Sequence, residues 1–459
     1  MHSGLSSTST VSVSSLKDQL SCRVVGPDDA GYDELRAVFS GGIDRRPAVI
    51  IRPANAADVA KAVGIARDSG LPLAIRNGGH SLFSATDGGI LLDLRDLNSF
   101  EIDADQRTAW AGAGLTAIEY TKAAAQHGLA TGFGDTGSVG ISGITLGGGI
   151  GYLTRKYGLT IDSLLGVELV TANGQLLQVN AESHPDLFWA IRGGGGNFGV
   201  VTRFHFQLHP VDQIVGGMML LPASADTIVR AMEAAAAAPE ELSAIINIMP
   251  APPMPFVPQE QQGKLSIMLL LCYAGDVETG NQVMGTFRAI AKPIVDMVRP
   301  IKYPELYPPD DPNYHPKAVG RTFFLDHFTR GAADIILEYL QRSDAPMRVT
   351  QLRVLGGAMA RVPADATAFA HRTAPIMGVA AAFFTGPEDR PSREAWTTTL
   401  TAALQQGNSG AYVNFLGDEG EGRIRAAYPG NTWNRLAAIK AQYDPQNLFR
   451  MNQNIPPRG

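Results

Sequence analysis

Three glycine clusters, at 77–80, 137–151 and 193–199, hold most of the residues in this sequence whose types and spacing could do chemistry. Clustered glycines let backbone come close to a ligand and aim its N–H groups at phosphate oxygens. One cluster alone reads as a plain tight turn; three within about 120 residues, each beside a strand or helix end, read better as a dinucleotide cradle. The third contains Gly194, Gly196 and Gly199 in G-x-G-x-x-G spacing. A Rossmann fingerprint follows a strand and opens a helix, whereas here a helical segment (186–192) precedes the glycines and a strand follows, so a Rossmann NAD site is rejected. No Walker P-loop occurs either.

His80 closes the first cluster, in Arg76-Asn77-Gly78-Gly79-His80-Ser81. Such a histidine could merely satisfy local hydrogen bonds, bind a metal, or act as a nucleophile. Metal binding lacks a spaced partner, because neither H-x-x-x-H nor H-E-x-x-H occurs. No metal is expected. A neutral imidazole is a nucleophile and could add to the 8α carbon of an oxidised flavin.

These loops need elements to position them. Asn55 caps a helix with Asp58 three residues on, Val59, Ala62, Val63 and Ala66 share its face, and Gly70 stops it. Short strands follow at 71–75, 90–94 and 108–111, then a helix carrying Ile118, Thr121, Ala124 and Ala125 that ends at Gly128. Residues 167–179 read as a hairpin with Asn173 and Gly174 in a type I′ turn. From Val200 to Leu208 apolar residues alternate with Arg203, His205 and Gln207, so one face is wet. After Pro210 the texture changes to an Ala-rich helix (231–238), a loop with five prolines between 250 and 258, and strands at 265–271, 323–328 and 378–384. The expected fold is α+β in two lobes: a first domain over 1–212 (1–15 disordered, 46–211 the core), a second over 213–417 built on an antiparallel sheet backed by helices, and a return to the first over 418–459.

Composition narrows the function classes. A net charge of −6 and no basic run longer than Arg45 and Arg46 argue against a nucleic-acid partner. Two cysteines, Cys22 and Cys272, cannot build a disulfide framework. The Ser/Thr-rich start has neither the basic end nor the apolar core of a signal peptide or anchor, so no membrane association and a cytoplasmic location are expected.

The loop 76–81, the stretch 140–152 followed by Arg155-Lys156-Tyr157-Gly158-Leu159, the run Gly195 to Val201, and the tail from Tyr443 through Asn452 and Asn454 to Ile455 together resemble the berberine-bridge-enzyme-like branch of the vanillyl-alcohol-oxidase (PCMH-type FAD-binding) flavoenzymes. The resemblance spans about 46–211 and the last forty or so residues. It implies a two-lobed PCMH-type FAD-binding domain with an inserted substrate domain, and FAD bound covalently through His80. It also implies a cofactor site of Arg76, Asn77, Gly78, Gly79, His80, Ser81, Thr136, Gly137, Val139, Gly140, Ser142, Gly143, Gly148, Gly149, Tyr152, Gly199 and Val200, with Asn452 and Asn454 on the isoalloxazine edge. Tyr412 and Asn452 are the implied catalytic side chains, and Val139 aligns with a position that gates oxygen. The implied reaction is oxidation of a small organic substrate by hydride transfer, with O₂ restoring the flavin and giving H₂O₂.

The departures from the family matter. Thr136 stands where many members carry a second flavin-tethering cysteine, so no cysteinyl link is expected; in this the chain is similar to the bacterial hydroxynicotine oxidases. Catalytic side chains of the plant members fall on Leu82, Ile150, Gly378 and Ala380, and only Tyr412 survives. These substitutions point to an apolar amine, heterocycle or secondary metabolite as substrate. An oligosaccharide or alcohol oxidase, or a protein that holds flavin without catalysis, are the alternatives. His371-Arg372 reads as structural, and Tyr307, Tyr314, His315, Phe324 and His327 as candidate pocket liners. Oligomeric state, monomer or homodimer, is not legible in the sequence.

Overall fold

A computed structural model describes residues 12–309, 311, 313–407 and 409–458. Of the segment 1–15, residues 1–11 lie outside the described residues, but Val13–Gln19 is a helix capped by Ser12, whose side chain accepts from Ser15 N. The disorder expected over 1–15 is therefore corrected for residues 12–15, which begin this helix. The signal overlooked was a hydroxyl cap ahead of Leu16, which is buried.

The first lobe holds two main sheets and a two-stranded pairing of Leu129–Ala130 with His209–Pro210. One runs Arg23–Val25, Val49–Arg52, Ile90–Asp93, Leu73–Arg76, its last three strands parallel. Helix Ala56–Ser69 links two of them, capped by Asn55 and ended at Gly70 with φ +70°, and buries Val59, Ala62, Val63 and Ala66. The other sheet is antiparallel, in the order Phe100–Asp103, Thr108–Gly112, Val200–Gln207, Leu164–Val170, Leu176–Asn180. Its hairpin pairs Val170 with Leu176, so the loop is 171–175. Gly174 has φ +83° but Asn173 does not have positive φ. The turn is therefore not type I′: a five-residue loop places only the glycine left-handed, and Gly174 N donates to Thr171 O at 2.9 Å.

The second lobe is an eight-stranded antiparallel sheet ordered Val295–Asp296, Gln213–Pro222, Leu265–Tyr273, Leu242–Pro250, Arg348–Val354, Ile376–Phe383, Ala318–Leu325, with Arg299–Lys302 also on Gln213–Pro222. Helices Ala225–Ala237, Val277–Arg288, Arg330–Arg342 and Arg390–Leu404 pack on one face, burying Ile228, Met284, Ile336 and Leu400 against Leu269, Ile246 and Ala380. The chain end rejoins the first lobe: Trp433, Leu436, Phe449 and Ile455 belong to its core. Among the described residues no helix is long and apolar enough to cross a membrane.

Candidate active site at the lobe interface

A cavity of about 890 Å³ lies between the two lobes, lined by all three glycine loops and by the helix-free face of the large sheet. The first loop leaves the strand Leu73–Arg76 and is pinned at both ends. Arg76, 2% exposed, sends its guanidinium away from the cavity to Ala37 O (3.0 Å), Leu35 O and Asp93 Oδ2 (2.8 Å). Burial draws this guanidinium below its ordinary pKa, opposed by Asp93. Asn77 Nδ2 donates to Gly114 O at 2.7 Å, and its Oδ1 accepts from Ser142 N. The first and second loops touch so closely that a Cβ on Gly140 would lie 1.7 Å from Asn77 Oδ1. Only glycine fits at this junction.

His80 lines the cavity, stacks on Phe39 at 4.1 Å, and sets Nε2 3.1 Å from Ser138 Oγ of the second loop. Of the residues named from the sequence, Asn77, Gly78, Gly79, His80, Ser81, Thr136, Val139, Gly140, Ser142, Gly143, Gly199, Val200, Tyr412 and Asn452 line it. Arg76, Gly137, Gly148, Gly149, Tyr152 and Asn454 do not. Gly137 packs behind the loop against Ile118 and Tyr307, and Gly149 backs onto Thr160. Tyr152 is buried in a separate cluster with Tyr303 and Tyr307. Of the five candidate pocket liners, none reaches the cavity: Tyr307 donates to Phe133 O, Phe324 stacks on His371, Tyr314 is exposed, His315 meets Phe39 O, and His327 bonds Gln406 through its backbone. His371 and Arg372 are structural, Arg372 holding Asp162 of the first lobe with two bonds of 2.7 and 2.8 Å.

Tyr412 is 1% exposed, and its oxygen accepts from Gly149 N (3.0 Å), Ile150 N (3.2 Å) and Asn414 Nδ2 (2.9 Å). Burial pushes the phenol pKa up; the three donors oppose it. The same contacts fix the shape of the 148–150 turn. The tail is held by Lys440, whose Nζ donates to Asn197 O, Asp444 Oδ2 and Phe449 O. Asn452 then reaches Gly196 O at 3.2 Å, while its own Oδ1 and that of Asn454 are buried with no partner among the described residues.

One wall differs from its sequence reading. Gly378 and Ala380 face the helices, since Gly378 pairs with Phe323 and Ala380 packs in the helix-side core. Val379, Ala381 and Phe383 line the cavity instead. Strand side chains alternate, so a one-residue slip in alignment exchanges the faces. The adjacent strand adds Val349, Gln351 and Arg353, none of which was singled out, although their i, i+2 spacing in 348–354 was the available signal. Phe39 and the 39–43 segment were also missed; they lie before the region with regular periodicity.

The cavity suits an extended dinucleotide. It is walled by backbone at Gly78, Gly140 and Gly199 and bordered on the tail by Asn452, whose Oδ1 has no donor among the described residues. Residues 47–180 match the FAD binding domain family, and 411–456 match the berberine and berberine-like family. The chain is 31% identical to (R)-6-hydroxynicotine oxidase of Paenarthrobacter nicotinovorans over 95% of this chain and 97% of that protein. It is 30% identical to an FAD-linked oxidoreductase of Dictyostelium discoideum, covering 90% and 89%. The crystal structure of 6-hydroxy-D-nicotine oxidase from Arthrobacter nicotinovorans superposes with a TM-score of 0.82 at 27% identity, covering 96% and 98%. The Physcomitrella patens BBE-like 1 structure shares the fold at TM-score 0.85 and 23% identity, covering 98% and 100%. By these matches the chain belongs to the berberine-bridge-like family of FAD-linked oxidoreductases.

Proposed function

We propose that the protein is an oxidase that holds FAD covalently through His80 and oxidises an apolar amine, heterocycle or secondary metabolite. Bound FAD would accept a hydride from substrate carbon and, on reoxidation by O₂, give H₂O₂. The observation that carries the reading is His80 itself: an imidazole at the cavity wall, stacked on Phe39 and beside Ser138, at the junction of two glycine loops. Asn77, Gly78, Gly79, Ser81, Val139, Gly140, Ser142, Gly143, Gly199 and Val200 would cradle the cofactor, with Thr136 in place of a second tether. Asn452 would orient the isoalloxazine edge, and Tyr412 would hold a substrate proton. Arg76 supports this arrangement indirectly, by fixing the start of the loop, and Gly148 and Gly149 by shaping the turn against Tyr412. The two lobes are proposed as 12–212 with 418–458, and 213–417.

The apolar substrate reading stands on Leu82, Ile150, Val349, Val379, Ala381 and Phe383, which line the cavity. The resemblance to (R)-6-hydroxynicotine oxidase agrees with it. Steady-state turnover on cyclic amines and on oligosaccharides tests it; turnover of sugars alone would sink it. The covalent bond is tested by absorbance before and after acid precipitation, with His80→Ala alongside. Yellow colour is expected in the wild-type pellet and in the mutant supernatant. Wild-type flavin washing into the supernatant would refute the bond.

A further inference from the structure

Arg353 is the charged side chain on the cavity-facing side of the strand Arg348–Val354, in line with Val349 and Gln351. It is 4% exposed, so its guanidinium must find partners. Nη2 donates to Asp135 Oδ2 of the second glycine loop at 2.5 Å and to Gln351 Oε1 at 2.8 Å, and Nε donates to the same Gln351 oxygen at 3.0 Å. Gln351 is in turn fixed by Asn247, to which its Nε2 donates at 2.9 Å. Nη1 makes no hydrogen bond to a described residue, and it is not among the atoms sealed from contact. The guanidinium lies 5.5 Å from the centre of the Phe415 ring, another cavity wall, and its charge reaches Tyr412. Arg353 also borders a void of about 10 Å³ beside Ser243, room for one water at most.

We propose that Arg353 is a specificity-determining residue whose Nη1 donates to an uncharged oxygen of the substrate, a carbonyl or hydroxyl on an otherwise apolar body. The reasoning is charge balance. Asp135 already neutralises Arg353, so a carboxylate docked here would be a buried, unmatched negative charge, and an ammonium would meet a donor it cannot use. A neutral oxygen acceptor completes the guanidinium at no such cost. Val379, opposite Gln351, is the nearest apolar neighbour of Arg353 on that cavity face, and Val349, Ala381 and Phe383 continue the apolar surface farther along the sheet. This rests on the oxidase reading, because it assigns the sheet side of the cavity to substrate.

Calorimetric titration of the full-length protein as isolated tests it, using three probes that share a phenyl ring: acetophenone, benzoate and benzylammonium. Calorimetry reads binding whether or not flavin is present, and the absorbance of the same samples reports flavin separately, so loss of the oxidase reading and loss of this one are told apart. Wild type is expected to bind acetophenone about tenfold tighter than either charged probe. Arg353→Lys keeps a cation for Asp135 but loses the fork, and should weaken acetophenone roughly tenfold. Asp135→Asn removes the neutralising charge and should shift preference toward benzoate. Benzylammonium binding best, or acetophenone binding unchanged in Arg353→Lys while flavin content falls, would overturn the assignment; the latter result would give Nη1 to the cofactor or to a water.

Discussion

The buried pair Lys440–Asp444 is expected to govern both stability and cofactor capture. Both side chains are 0% exposed, 2.6 Å apart, one helical turn apart at the end of Thr432–Tyr443. Replacing Lys440 by Met keeps much of the chain's length but removes three bonds at once, to Asn197 O, Asp444 Oδ2 and Phe449 O. Asp444 keeps the N–H groups of Leu448 and Phe449, yet its charge is left without a counterion in a dry site. Removing one partner of such a pair costs about 3–5 kcal/mol. Three charge-assisted bonds at roughly 1.5 kcal/mol each reach the same range. The loss has a second consequence, because Nζ joins the third glycine loop to the tail that carries Asn452 to the cavity. Urea unfolding followed by circular dichroism should show the loss, and the flavin-to-protein ratio of the purified variant should fall with it. Adding Asp444→Asn to Lys440→Met removes the stranded charge while keeping an acceptor, so the double variant should be more stable than the single one. A single variant within about 1 kcal/mol of wild type would refute the reasoning. A double variant less stable than the single one would locate the cost in packing instead.

Tyr412→Phe strands three donors, at Gly149, Ile150 and Asn414, and is expected to cost about 1–3 kcal/mol in urea unfolding. A variant with wild-type stability and greatly reduced kcat would instead make the hydroxyl purely catalytic. His209 is one pH-sensitive group: burial lowers its pKa to about 4, while the ring stacks on Tyr157 and Nε2 lies 3.0 Å from Ser163 Oγ. The unfolded chain binds that proton more readily, so this contribution is complete above about pH 6.5 and falls as pH drops toward 4. A dry ring would give about 3 kcal/mol, which residual solvent contact reduces to about 1–2 kcal/mol. His209→Gln should flatten the change in urea midpoint between pH 7.5 and 4.5; an unaltered pH slope would count against it.

The first lobe was legible because its signals are local. Asn55 and Gly70 bound a helix through cap chemistry, and the alternation from Val200 is visible in eight residues. The glycine loops could be read as a cradle since close backbone approach excludes any Cβ, as the contact between Gly140 and Asn77 shows. What the sequence left hidden was direction. Arg76, Gly149 and Tyr152 neighbour cavity residues along the chain, yet their side chains or backbone turn behind the loops, and periodicity does not report loop geometry.

The sheet wall of the cavity was illegible for a sharper reason. A strand assigns faces by parity, so counting residues forward from His371-Arg372 must be right to the single residue, and here it selected Gly378 and Ala380 rather than Val379 and Ala381. The strand's cavity side is apolar all the same, because both faces of Ile376–Phe383 are apolar, so the slip changed the residues and not the character of that wall. Parity had no such insurance on the neighbouring strand. Arg348–Val354 alternates Val349, Gln351 and Arg353 toward the cavity with Thr350 and Leu352 toward the helices, so there a slip of one residue would swap a polar wall for an apolar one. Register on that strand is set by its ladders to Leu242–Pro250 and Ile376–Phe383, and Asp135, just ahead of the second glycine cluster, meets Arg353 across the lobe interface. The ion pair thus ties the cavity face of the large sheet to the residue just ahead of the second glycine cluster, which is why the selectivity proposed for Arg353 depends on Asp135 as well.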